Sequence, residues 1–211
     1  MEPNQWHTHL PGNEFDYLAL MGALQEYKRP RDKVTKLLAH GQVIRVKKGM
    51  YILGQGMRRR PEINREILGN LLYGPSYITL EYALSWHQLI PERTEAVTSV
   101  TLSKSKSYTT PVGRFIYRHV HETYYSLGIV SRVLPDGRGF LMASPEKAIA
   151  DTVYFASGLR SRDALRDFLF ADLRIEPEEM RYLDIALFRE LTAVQNKRSL
   201  SMLSELVGEY A

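Results

Sequence analysis

Two short windows near the start of the chain carry apolar residues at helical spacing. Between Glu14 and Tyr27, Phe15, Leu18 and Met21 fall on one stripe, and Tyr17, Leu20, Ala23-Leu24 and Tyr27 fall on its neighbour. This pattern predicts a helix from about Glu14, capped by Asn13 and with Asp16 in its first turn, preceded by a loose arm from Met1 to Asn13. Pro30 interrupts the pattern and biases Arg29 away from helical geometry, so a second helix is expected from about Arg31 to His40. In it Val34, Leu37 and Leu38 form one buried stripe, Arg31, Lys33, Lys36 and His40 fall off that stripe, and Gly41 is a terminator. From Val43 to Leu53 two β-branched runs flank Lys47-Lys48-Gly49, which predicts a hairpin with a basic tip. A helix with one apolar and one cationic face, followed by such a hairpin, is the outline of a winged helix-turn-helix.

Beyond residue 60 the pattern is mixed. Pro61 to Tyr73 reads as helical, Gly74-Pro75 as a turn and Tyr77-Ile78 as a short extended piece. Thr79 is placed to cap a helix running through His87. Val97–Leu102, Arg114–His121, Gly128–Val133 and Gly139–Ala143 read as strands, the last two joined through Asp136-Gly137. Helices are expected over Pro145–Ala156, Ser161–Phe170, Pro177–Val194 and Ser199–Glu209. Helices, a strand cluster and then helices define an α+β chain. The expected organisation is an N-terminal winged helix-turn-helix over 1–60 and a larger mixed α+β domain with a helical C-terminal part over 61–211.

Charge sharpens this division. Residues 1–60 hold 11 Lys/Arg against 5 Asp/Glu, whereas 61–211 hold 17 against 19. Between Lys28 and Arg60 the single acidic residue is Asp32. Such segregation is the electrostatic footprint expected for a polyanion. Lys28, Arg29, Arg31, Lys33, Lys36 and Arg45 are the candidate DNA contacts, with Lys47 and Lys48 at the wing tip on the flanking backbone. Arg58-Arg59-Arg60 is read as a linker or a further phosphate contact. The chain has no cysteine, which excludes disulfides, thiolate zinc sites and cysteine catalysis. It shows no apolar run long enough to span a bilayer and no apolar region near Met1, so the expectation is a cytoplasmic protein with no membrane partner.

Candidate chemistry is sparse. His7 with His9, and His119 with His121, place imidazoles in pairs, but neither pair is completed by further metal ligands. His87 lies on an apolar stripe and is expected to be packed against a hydrogen-bond partner. Ser103-x-x-Lys106 matches a nucleophilic-serine spacing but sits in a polar stretch without supporting motifs. Lys104 and Lys106 are read instead as a basic loop for nucleic acid or an acidic partner. Ser144-Pro145-Glu146-Lys147 is a strong helix start, with Lys147 and Asp151 spaced to pair at i, i+4 for a few tenths of a kcal/mol, about 0.2–0.5. No phosphate-binding loop, nucleophile elbow or zinc-protease motif is present. No catalytic residue, metal site or cofactor is therefore predicted.

Four stretches resemble the antitoxins of AbiE-type (type IV) toxin–antitoxin systems and related winged-helix transcriptional regulators. They are Val46–Tyr51, Tyr77–Pro91, Thr98–Thr101 with Thr110–Phe115, and Ala143–Asp151. The resemblance implies a winged helix that binds inverted repeats in double-stranded DNA at the operon's own promoter. It further implies a second domain that supports repression and counteracts a nucleotidyltransferase-like toxin. A stand-alone regulator, or a protein-interaction module without a toxin partner, would share these residues, and either a monomer or a homodimer would suit paired half-sites.

Overall fold

A computed structural model describes residues 5–57 and 63–210. Contacts divide the chain into two compact units, Met1–Leu72 with Thr109–Gly113, and Tyr73–Tyr108 with Arg114–Ala211. The expected boundary near residue 60, and Arg58-Arg59-Arg60, lie outside the described residues.

The first unit starts with a 3-10 turn over Trp6–His9. Trp6 and Leu10 are both buried in its core, so this stretch is anchored where a loose arm was expected. Strand β1 (Glu14–Asp16) leads directly into helix α1 (Tyr17–Ala23), and helix α2 follows over Pro30–Ala39. The expected helix from Glu14 to Tyr27 is thus corrected to a strand and a two-turn helix. Its cap is Asp16 rather than Asn13: the Asp16 carboxylate accepts from the Ala19 amide at 2.8 Å, while the Asn13 carbonyl accepts from the Leu53 amide. The cause is non-local, since Phe15 stacks on Tyr51 at 6.4 Å across the β1 pairing. Strands β2 (Val43–Lys47) and β3 (Met50–Leu53) form the expected hairpin, turning at Gly49 with φ +86°. The three-stranded sheet has the order β1-β3-β2, antiparallel throughout, with a bulge between Arg45 and Lys47. Leu20, Leu24, Val34, Leu37, Val43 and Leu53 close its core with Phe15 and Tyr51. Helix α3 (Arg65–Leu72) ends this unit.

The second unit is built on a six-stranded mixed sheet, apart from the residues of β6 and β7 that fall within Thr109–Gly113. Its strands are β4 (Ser76–Ile78), β5 (Val97–Thr101), β6 (Lys106–Thr110), β7 (Gly113–His119), β8 (Ile129–Val133) and β9 (Gly139–Ala143), in the order β6-β7-β5-β4-β9-β8. Helices α4 (Leu80–Trp86) and α5 (Glu122–Tyr125) lie between strands in sequence. After β9 come α6 (Pro145–Phe155), α7 (Arg162–Arg166) with a π-helical continuation to Asp172, α8 (Ile185–Val194) and α9 (Arg198–Gly208). The chain is therefore mixed α+β with a helical C-terminal part. Strand β6 corrects the reading of Ser103–Ser107 as loop throughout: Lys106 onward is extended because it pairs with β7. Helix α6 packs against α4, α8 and α9, and seven consecutive residues from Lys147 to Val153 are buried. No helix among the described residues is long and apolar enough to cross a membrane.

Candidate nucleic-acid interface

Helix α2 separates its two faces by charge. Pro30 occupies its first turn, and Gly41 at φ +64° follows its end. Val34 and Leu37 are buried in the core, whereas Arg31, Asp32, Thr35, Lys36 and His40 are exposed. Lys28 and Arg29 are exposed just ahead of it. Arg29 lies 3.8 Å from Asp32, but both side chains are largely solvated, so the pair does little to neutralise the arginine. Lys33 is half-buried on the flank, its ammonium 5.1 Å from the centroid of the Tyr27 ring.

On the hairpin, Arg45 is exposed and lies over the ring of its cross-strand neighbour Tyr51, 5.9 Å from the centroid. Lys48 is exposed in the turn. Lys47 differs from it: its side chain is half-buried and its ammonium donates to the carbonyl of Leu72. Among the described residues of this unit the exposed lysines and arginines are thus Lys28, Arg29, Arg31, Lys36, Arg45 and Lys48. Lys33 and Lys47 are each held by a protein partner. A surface of this kind suits phosphate oxygens, with arginine forks able to bond two acceptors at once.

In the second unit, Lys104 and Lys106 are exposed. The Lys106 ammonium lies 5.7 Å from the Tyr73 ring centroid and 5.0 Å from that of Tyr108. His119 and His121 come together with ring centroids 5.8 Å apart, and His119 Nδ1 lies 3.2 Å from the Ser103 carbonyl. Among the described residues no group of three or more His, Asp or Glu side chains is placed to hold a metal ion. His87 is packed as expected: its Nε2 lies 2.9 Å from the Ala143 carbonyl, and burial lowers its pKa.

The residues that sequence reasoning undervalued are Lys147 and Asp151. Ser144, Pro145 and Glu146 do start α6, the Ser144 hydroxyl accepting from the Lys147 amide at 3.3 Å. The pair beyond them is not a solvated surface pair. Both side chains are fully buried, with 3.3 Å between ammonium and carboxylate. Asp151 also accepts from the hydroxyls of Tyr77 at 2.9 Å and Thr79 at 2.6 Å. Thr79 therefore spends its side chain on Asp151 and makes no hydrogen bond to cap α4. The Lys147 ammonium donates to the Tyr124 carbonyl at 2.8 Å and lies 3.3 Å from the centroid of that ring. Burial lowers the Lys147 pKa, and the Asp151 charge opposes that shift. The sequence shows only their i, i+4 spacing on one side of α6, the pattern of a solvated pair. This network is closed to solvent and holds α6 to β4 and α5.

Comparison with known proteins finds no matching family model and no curated protein of detectable similarity.

Proposed function

We propose that the protein is a DNA-binding transcriptional regulator whose N-terminal unit works as a winged helix-turn-helix. The observation that carries this reading is the division of α2, with Val34 and Leu37 fixed in the core and Arg31 and Lys36 in solvent. A helix anchored on one face and cationic on the other fits the major groove, where phosphate contacts set its position and base edges set its specificity. The order of elements supports it as well: a helical turn, β1, α1, α2 and a β2–β3 hairpin whose second strand lies between the other two. In this reading Arg45 and Lys48 follow the backbone beside the groove. Its chemistry is binding rather than catalysis.

The test is fluorescence anisotropy of the full chain on the duplex upstream of its own gene, across a salt series. Each phosphate neutralised contributes a slope of about −0.9 in log K against log salt. Binding that is absent at about 50 mM salt, or that ignores salt, rejects the reading.

The sequence resemblance favours a more specific role within it, an autorepressing antitoxin that counteracts a nucleotidyltransferase-like toxin. Co-expression with the product of such a neighbouring gene tests that role: growth rescue supports it. A chain that binds its promoter but neither rescues growth nor co-purifies with that product is a stand-alone regulator.

A further inference from the structure

The six-stranded sheet of the second unit has two edges of different character. Strand β6 carries Lys106 and the hydroxyls of Ser107, Thr109 and Thr110, the charged and polar finish that keeps an edge from pairing. Strand β8 reads Ile129-Val130-Ser131-Arg132-Val133, and its single neighbour in the sheet is β9. Ser131, Arg132 and Val133 are exposed, Val133 to 72%.

The phase of the hydrogen bonds fixes which residues face that open edge. The Ser144 amide donates to the Gly128 carbonyl at 2.8 Å, and the Leu134 amide donates to the Arg138 carbonyl at 2.7 Å. Both pairs continue the β8–β9 register, in which Ile129 lies opposite Ala143 and Val133 opposite Gly139. Bonded and non-bonded pairs alternate along an antiparallel ladder. Val130 and Arg132 therefore turn their backbone groups towards β9, and Ile129, Ser131 and Val133 turn theirs outward.

We propose that β8 pairs with β8 of a second copy of this chain, antiparallel and centred on Ser131, to give a two-fold dimer with one continuous sheet. The strand is self-complementary in that register alone. Centred on Ser131, all three outward-facing residues find partners: Ile129 meets Val133 of the other copy, and Ser131 meets Ser131. Arg132 then lies opposite Val130, so no like charges meet. Moving the centre to Arg132 sets two arginines against each other, and moving it to Val130 leaves Val133 opposite Leu127, beyond the strand. The pairing also sets the exposed Val133 beside Ile129 of the other copy. Such an interface is isologous, as closed two-fold dimers require. The proposal is independent of DNA binding and is tested on the protein alone.

Sedimentation equilibrium of the full chain should show a concentration-dependent rise from the 24.3 kDa monomer to twice that mass. Ser131→Pro removes an outward-facing amide that the β8–β9 ladder does not use, a position where an edge strand tolerates proline. Val133→Lys places a charge on the exposed edge. Both variants should stay monomeric while keeping the wild-type circular dichroism. Because the chain lacks cysteine, Ser131→Cys carries one nitroxide label per chain. Two labels on the dyad, on Cα atoms about 5.5 Å apart, should show strong dipolar broadening in the dimer. A wild-type chain that stays monomeric at every concentration overturns the proposal. So does a dimer that survives both variants while folded, or one whose labels show no broadening.

Discussion

Lys147 and Asp151 face each other one helical turn apart, 3.3 Å between ammonium and carboxylate, with both side chains fully buried. Desolvating two ions is costly, and here the cost is offset by their mutual attraction together with the Tyr77, Thr79 and Tyr124 bonds. Removing one partner leaves the other charge buried and uncompensated. Lys147→Met and Asp151→Leu should each destabilise by about 3–5 kcal/mol, whereas the double variant should cost clearly less than the sum. Urea denaturation of the three variants measures this coupling. Strict additivity would mean that the two groups do not compensate each other.

The same network governs behaviour in alkali. Burial and the Asp151 charge hold the hydroxyls of Tyr77 and Tyr124 protonated well above the ordinary tyrosine range, and burial does the same for Tyr117. An unfolded tyrosine ionises near pH 10, roughly its free value. Above that pH the folded chain binds more of these protons than the unfolded chain, so stability falls as pH rises. Lys147 acts in the opposite sense, because its folded pKa lies below the unfolded 10.5 and it favours folding as pH rises towards that value. Burial also raises the Tyr125 pKa and lowers that of Lys197, so two lysines are set against four tyrosines, and the net expectation is a loss of stability above about pH 10. Phenolate absorbance should rise gradually for exposed tyrosines and then step up together with loss of circular dichroism. A smooth titration of every tyrosine in a chain that stays folded would contradict this.

If α2 and the hairpin meet phosphates, their exposed cations should be separable from the held ones. Arg31→Gln, Lys36→Gln and Lys48→Gln should each weaken DNA binding and reduce the magnitude of the salt slope by about 0.9, with little effect on the melting temperature. Lys47→Gln should instead lower thermal stability, because its ammonium is bonded to the Leu72 carbonyl. Paired anisotropy and melting curves distinguish these outcomes. A Lys47 variant that loses only salt slope would place that side chain on DNA.

The elements that could be read from sequence are those set by local chemistry. Pro30 and Gly41 bracket α2, Gly49 turns the hairpin, and Ser144-Pro145 starts α6. Strand β1 was hidden because its partner β3 is distant in sequence, and β6 because its polar Lys106–Thr110 run lacks the apolar alternation of a strand although it pairs with the next strand, β7. Helical spacing in Phe15, Leu18 and Met21 was genuine but coincidental: Phe15 belongs to a strand, and Leu18 is 77% exposed on α1. For the candidate interface, sequence identified the cations but not their engagement. The hold of Leu72 on Lys47 and of Tyr27 on Lys33 depends on how the chain folds back. Lys147 and Asp151 were likewise visible as a pair, but their burial depends on the helices around α6.

The Asp16 cap gives a compact test of the corrected N-terminal topology. Asp16 is extended, with φ −88° and ψ 178°, and its carboxylate accepts the Ala19 amide. It also places a negative charge at the start of α1, where the helix dipole favours it. Asp16→Ala should therefore destabilise the chain by about 1 kcal/mol, and Asp16→Asn, which retains the acceptor, by a few tenths, about 0.3. Had the helix begun at Glu14 with Asn13 as its cap, Asp16 would lie inside the first turn, and replacing it by alanine would change stability little. Chemical denaturation of the two Asp16 variants beside wild type separates these outcomes: an alanine variant as stable as wild type would return the start of α1 to Glu14.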